Sequence, residues 1–228
     1  MLSVLNQSYP DIEYILIDGQ STDGTIAIIE NYRDKIAHFI SEKDNGLYHA
    51  MNKGLEIATG DVIGFLHSDD FYTSSRVIEK YADLFTKEGC DAAYSDLYYV
   101  DRRDTKKITR KWKSGKYSPG AFLNGWMPPH PTFMVKKEVY HRLGGYNTTF
   151  KSAADYELML RFIVKHRISI SYLPEFTIKM RSGGKSNASV QNRISANMED
   201  RMAWKTNGLK PRFYTLYLKP LRKIFQYL

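Results

Sequence analysis

The sequence of 228 residues has one cysteine, Cys90, so it cannot close an intrachain disulfide, and nothing in it argues for an oxidising compartment. No apolar run approaches the roughly 20 residues that cross a bilayer. No second His or Cys stands at ligand spacing from His49, so a His/Cys metal site is not expected. A complete phosphate-loop spacing is missing as well. From Arg201 onward there is no Asp or Glu. What is present, 43% hydrophobic and 25% charged residues, suits one soluble domain of ordinary size with a substantial core. The formal net charge of +8 either serves solubility or implies an anionic partner. Lys and Arg crowd residues 102–116, but no aromatic or base-reading module accompanies them, so a solvated hairpin is expected and nucleic acid is not.

The informative stretch is Ser41 to Asp70, SEKDNGLYHAMNKGLEIATGDVIGFLHSDD. Leu47 to Thr59 has the spacing of a helix, with Ala50, Met51, Gly54, Leu55 and Ala58 inward. Val62 to Leu66 reads as a short buried strand, followed by Asp69 and Asp70. Paired carboxylates at the carboxyl end of a strand suit a hard cation, Mg²⁺ or Mn²⁺, shared with substrate phosphates. The plain alternative is that they cap the next helix. Upstream, Ile12 to Ile17 reads as a strand ending at Asp18, then a polar loop and a helix from Ile26 to Tyr32, half of a βαβ unit. Asp18 is a candidate ligand contact, and Asp23-Gly24 a turn. Lys53 is placed to reach phosphate oxygens, or else is solvated.

Further strands are expected at Ile36–Ser41, Ala92–Val100, Ile108–Trp112, Thr132–Val135, Ile168–Leu173 and Phe176–Met180, with a helix at Ser75–Lys87. The Gly/Pro-rich segment 114–134 reads as a binding loop in which Trp126 and His130 line an acceptor pocket, aromatic faces suiting sugar rings; core packing explains Trp126 nearly as well. Asp155 starts a helix as a cap or, if that start faces Asp69 and Asp70, as a general base, with Glu157 helping to position it or the substrate. Arg181-Ser182-Gly183-Gly184-Lys185-Ser186 is a weak diphosphate-cradle candidate. At the carboxyl end Leu218, Leu221, Phe225 and Leu228 share a helical face among basic residues, with Pro220 at the helix start. This is the pattern of a membrane-surface element, or of a helix docked on its own domain.

Three segments, VLNQSYPDIEYILIDGQSTDGT, EKDNGLYHAMNKGLEIATGDVIGFLHSDD and GGYNTTFKSAADYELMLR, resemble the family-2 glycosyltransferases of bacterial capsule, O-antigen and exopolysaccharide assembly, from about Leu2 to Ser189. The resemblance implies an α/β, GT-A-type nucleotide-diphospho-sugar transferase fold, a Rossmann-like mixed sheet flanked by helices. It implies an N-terminally truncated version, because the family's usual first strand is not seen ahead of Leu2. It also implies transfer, with inversion, from a nucleotide-diphosphate sugar to a polysaccharide or lipid-linked acceptor. Asp18 is then expected near the nucleotide base, Asp69 and Asp70 as the ribose-diphosphate and metal pair, and Asp155 as the catalytic base. Gly19 stands where many relatives have a second Asp, and His49 where an Asp is common. The expected donor-side set is Asp18, Asp44, Asn52, Lys53 and Asp69; Asp70 holds Mn²⁺ or Mg²⁺; Trp126, His130 and Glu157 face the acceptor.

The expected organisation is a catalytic domain over 1–190, its nucleotide-sugar half 1–100 and acceptor half 101–190, and a basic amphipathic helical extension over 191–228. The expected location is cytoplasmic, peripheral on an anionic inner membrane face. The alternatives are a fragment that only binds nucleotide sugar or membrane, and a nucleotidyltransferase on a similar sheet.

Overall fold

Ala92 to Val100 carries small and aromatic residues without polar alternation, and it forms the long central strand β5 (Ala92–Val100), buried over most of its length on both faces. The computed structural model describes residues 1–183, 190–223 and 226–227. Ahead of β5 run α1 (Leu2–Leu5), β1 (Ile15–Asp18), α2 (Thr25–Glu30), β2 (His38–Ser41), α3 (Leu47–Ile57), β3 (Val62–Ile63), β4 (Asp70–Tyr72) and α4 (Val77–Glu88). After it come β6 (Ile108–Trp112), β7 (Met134–Lys136), α5 (Lys137–Leu143), α6 (Ala154–Met159), β8 (Ile170–Arg181), α7 (Val190–Thr206) and α8 (Thr215–Leu221).

The strands form a six-stranded mixed sheet ordered β3-β7-β5-β8-β4, with β6 also on β5, and a separate parallel pair β1-β2. β5 and β8 are parallel; the other pairs of the larger sheet are antiparallel. The two strands expected at 168–173 and 176–180 are one, β8. Its register against β5 jumps from Ser95↔Leu173 to Asp96↔Phe176, so Pro174 and Glu175 sit in a bulge, where proline's missing N–H does no harm. Beyond the bulge Phe176 stacks on Tyr98 with ring centroids 3.8 Å apart.

The strand expected at Val62–Leu66 stops at Ile63, which pairs with Val135 of β7. The following residues line a trough of about 1650 Å³ between β3 and β1, walled by Ile15, Ile17, Val62, Ile63 and Phe65. The main core includes Tyr94, Phe122, Tyr156, Phe162 and Trp204, and Ile63, Ile15 and Phe65 of the trough wall join or pack against it.

The carboxyl-terminal segment is docked on this core. Trp204 and Ala203 of α7 and Leu216 of α8 are buried in it, and Thr215 Oγ1 donates to Leu123 O (2.6 Å). The helix expected to start at Pro220 starts at Thr215 and includes that proline. Of the expected apolar face, Leu218 is half-buried and Leu221 exposed, while Phe225 and Leu228 lie outside the described residues. The outward apolar residues are instead Phe213, Tyr217 and Leu221, because Thr215 and Leu216 turn inward. Gly125 permits the close approach of α8: its φ is +73°, and a Cβ there would lie 2.5 Å from Lys219 N. Gly125→Ala is therefore expected to displace α8, with a loss of about 1–3 kcal/mol in urea unfolding and faster tryptic cleavage after Arg212.

Candidate active site

The chain reaches Asp70 through a turn in which the Asp70 N–H donates to His67 O (3.0 Å). Asp70 opens β4 opposite Met180 of β8 and is only 5% exposed. Both its carboxylate oxygens are buried without a hydrogen-bond partner in the structure. Burial, reinforced by the charge of Asp69 and opposed by Arg181, pushes its pKa up to about 7. Asp69 is exposed, and its carbonyl accepts from Arg181 Nη1 (3.3 Å). A buried carboxylate with no donor is costly unless something cationic completes it. The bare oxygens of Asp70 fit a hard divalent cation. Among the described residues no group of three or more His, Cys, Asp or Glu could hold a metal. Substrate oxygens would have to supply the remaining ligands.

Asp155, in the first turn of α6, points at polar partners from distant segments. Tyr48 of α3 donates to its Oδ1 (3.5 Å), and His130 Nδ1 lies 3.3 Å from its Oδ2. Burial lowers the His130 pKa below its ordinary value, more than Asp155 raises it, so the ring is neutral at pH 7. A neutral ring in this position carries its proton on Nδ1, since otherwise two acceptors would face each other. His130 also faces His67 at 5.7 Å between ring centroids, and burial first, then His130, pushes the His67 pKa down to about 4. A continuous path, Asp155 to His130 to His67, thus joins α6 to the turn that carries Asp69 and Asp70.

The donor-side candidates fall into three arrangements. Asp18 is buried at the end of β1 and accepts from Ser21 N–H (2.9 Å), Ser21 Oγ (2.5 Å) and Ser41 Oγ (2.7 Å). Burial pushes its pKa up, but these bonds together outweigh that and leave it below the usual range. Asp44 lies beside Gly19, where a Cβ would be 3.8 Å from its Oδ2, and pairs with Lys53, which also reaches Glu42 at 2.7 Å. Lys53 is therefore neutralised by two carboxylates, and one Asp44 oxygen is buried without a hydrogen bond. Asn52 is committed elsewhere: its Nδ2 donates to Tyr146 O and its Oδ1 accepts from Tyr146 N–H, both at 2.8 Å. It ties α3 to the Gly144-Gly145 turn.

Two acceptor-side candidates are core residues. Trp126 is buried against Tyr94, Tyr117 and Phe122 and donates Nε1–H to Ser114 O (2.7 Å), so its ring faces the interior and not a sugar pocket. Glu157 is 2% exposed and accepts from Arg161 Nε and Nη2, both at 3.1 Å, and from Asn207 Nδ2 (3.2 Å). Its spacing of two from Asp155 turns it to the other side of the helix, where it serves packing. Of the 181–186 turn, residues 184–186 lie outside the described residues. Tyr48 and His67 went unnoticed in the sequence because a Tyr inside a helix and a lone His carry no spacing signal; only the tertiary contacts single them out.

Residues 1–155 match the family model described as Glycosyl transferase family 2. An uncharacterised glycosyltransferase of Haemophilus influenzae is 32% identical over 210 residues, 91% of this chain and 79% of that one. An uncharacterised glycosyltransferase of Mycobacterium tuberculosis is 32% identical over 151 residues, 66% of this chain and 56% of that one. The chain thus spans little more than half the length of that relative. Among solved structures, S. aureus TarS in complex with UDP-GlcNAc superposes with a TM-score of 0.65 at 18% identity, covering 86% of this chain and 59% of that one. The mannosyltransferase PcManGT from Pyrobaculum calidifontis, in complex with GDP-Man and Mn²⁺, gives 0.64 at 19% identity, covering 95% and 63%. The fold is accordingly the expected GT-A type.

The Asp70 carboxyl fixes a pH dependence for the metal-free chain. Folded, it keeps its proton up to about pH 7; unfolded, it releases it near 3.8. The folded state therefore binds more protons between those values, and stability falls as pH rises through that window. Asp70→Asn removes the penalty. In chelator its melting temperature should exceed that of wild type at pH 8, by the equivalent of about 1–4 kcal/mol, and match it near pH 4.

Proposed function

Because the chain belongs to glycosyl transferase family 2, we propose that it is an inverting glycosyltransferase. In this reading it moves a sugar from a nucleotide-diphosphate donor to a polysaccharide or lipid-linked oligosaccharide acceptor in exopolysaccharide or other cell-envelope assembly. The observation that supports the reading is a chain of contacts between remote segments: His130 lies 3.3 Å from Asp155 of α6 and faces His67, which stands in the turn that leads to Asp69 and Asp70.

Asp155 takes the proton of the attacking acceptor hydroxyl as its oxygen closes on the anomeric carbon from the face opposite the departing diphosphate. The neutral His130 ring and the Tyr48 hydroxyl hold the carboxylate in orientation while leaving it partly exposed. Asp69 positions the ribose-diphosphate part of the donor, and Asp70 would hold a divalent cation. When bound, that cation offsets the charge gathering on the leaving diphosphate. The Asp18, Asp44 and Lys53 cluster borders the nucleotide end, where β1 stops. PcManGT is a mannosyltransferase with GDP-Man and Mn²⁺, and TarS was captured with UDP-GlcNAc; both support a nucleotide-sugar donor here.

Incubation with UDP-GlcNAc or GDP-Man and Mn²⁺ should release the nucleoside diphosphate. Asp155→Asn should lower that rate by about 10²–10⁴-fold while donor-induced thermal stabilisation persists. Release of pyrophosphate instead would identify a nucleotidyltransferase, and donor binding without release a non-catalytic binding module.

The same reading places the protein peripherally on an anionic cytoplasmic membrane face. Among the described residues no helix is long and apolar enough to cross a membrane. Phe213, 89% exposed, and the exposed Tyr217 and Leu221 share residues 210–222 with the exposed Lys210, Arg212 and Arg222. Exposed apolar and cationic residues in one short segment suit insertion at a negatively charged interface. Vesicles containing phosphatidylglycerol should co-sediment the protein and neutral ones should not. Phe213→Ser with Tyr217→Ser should weaken that binding by about tenfold, the loss of roughly 1.4 kcal/mol of apolar contact.

A further inference from the structure

The backbone that leads into α6 is gripped by a side chain from another segment. Glu199 of α7 accepts from Lys151 N–H through Oε1 (3.1 Å), and through Oε2 from Ser152 N–H (2.8 Å), Ala153 N–H (2.9 Å) and Ser152 Oγ (2.9 Å). Three successive amides converging on one anion form a nest, and hydrogen bonds to an ionised acceptor are roughly twice as strong as neutral ones. Asp155 follows two residues after Ala153. The helix start has no side-chain cap of its own, since its N-cap position is Ala153. Helix α7 and Asn207, just past its end, also hold the residues that follow Asp155. Trp204 Nε1 donates to Tyr156 Oη (3.0 Å), and Asn207 Nδ2 donates to Glu157 O (3.3 Å). Asp200, next to Glu199, pairs with Lys219 of α8 at 2.6 Å, and the Lys219 ammonium lies 3.5 Å above the Tyr156 ring. The residues on either side of Asp155 are thus anchored to the carboxyl-terminal helices.

We propose that Glu199 is a positioning residue for the transfer reaction, fixing residues 151–153 so that the Asp155 carboxylate stays aimed at the acceptor hydroxyl. The carboxyl-terminal helices then complete the reaction centre as well as extending the domain. This inference rests on the reading of Asp155 as the base, and the test separates the two.

Glu199→Ala, Glu199→Gln and Asp155→Asn are compared with wild type in the full chain. Nucleoside diphosphate release is measured with UDP-GlcNAc or GDP-Man and Mn²⁺, and amide hydrogen exchange is followed by mass spectrometry. For Glu199→Ala the expected result is a kcat lower by about 10- to 100-fold with the donor KM within about twofold. Exchange should accelerate over 151–157 while β5, β8 and α4 keep wild-type protection. Glu199→Gln, which keeps an acceptor but not the charge, should fall between. Wild-type kcat and unchanged exchange over 151–157 in Glu199→Ala overturn the proposal, as does loss of protection throughout the protein with KM and kcat changed together. Wild-type turnover in Asp155→Asn sinks the base reading itself, whereas an inactive Asp155→Asn beside a fully active Glu199→Ala sinks the positioning role alone.

Discussion

The parallel pairing of β5 with β8 is the constraint on which the rest of the structure depends. It joins residues 92–100 to residues 170–181, far apart in the chain, and it buries both faces of β5. The opposite edge of β8 carries β4, so the place of Asp70 follows from this pairing. The free edge of β5 carries β7 and β6. Inside the sheet the polar groups are mutually satisfied: Ser95 of β5 meets Thr177 of β8, and Thr132 Oγ1 accepts from Ser95 N–H and donates to Ser95 O. A satisfied buried network is rigid. Here it pins the 130–132 turn to the central strand, and His130 is the first residue of that turn.

The carboxylates of Asp70 and Asp155 differ because their surroundings differ. Asp70 is enclosed and without donors, so its ionised form is expensive and calls for a cation. Asp155 is partly open and faces a tyrosine hydroxyl and a neutral imidazole, groups that orient its oxygens. In the proposed reaction the division of labour between a cation-holding carboxylate and a proton-accepting one would follow from burial and hydrogen bonding, not from residue type.

The positive charge of the carboxyl-terminal segment is also divided by packing. Lys219 turns inward to Asp200 and the Tyr156 ring, while Lys210 and Arg212 stay outside with Phe213 and Tyr217. A stretch that has no acidic residue of its own therefore docks through Asp200, just ahead of it, and still leaves a cationic, aromatic outer surface.

Much of the architecture was legible in residue pattern. Helix α3, strands β5 and β6 and the start of α6 at Asp155 follow local periodicity and turn residues, which depend on neighbours a few positions apart. The family resemblance marked Asp70 and Asp155 because they sit in compact motifs. What escaped that reading depended on partners distant in sequence. Trp126 has the composition of a sugar platform, yet Ser114 and Tyr94 draw it into the core; Glu157 and Asn52 are spent on Arg161 and Tyr146. Glu199 looks like any helical glutamate until the fold brings three amides to it. Local sequence determined which segments become helix or strand and where carboxylates cluster. Only tertiary structure decided which polar side chains remain free for a substrate, because a hydrogen bond or ion pair across the fold is selected by three-dimensional proximity, and no short-range pattern records it.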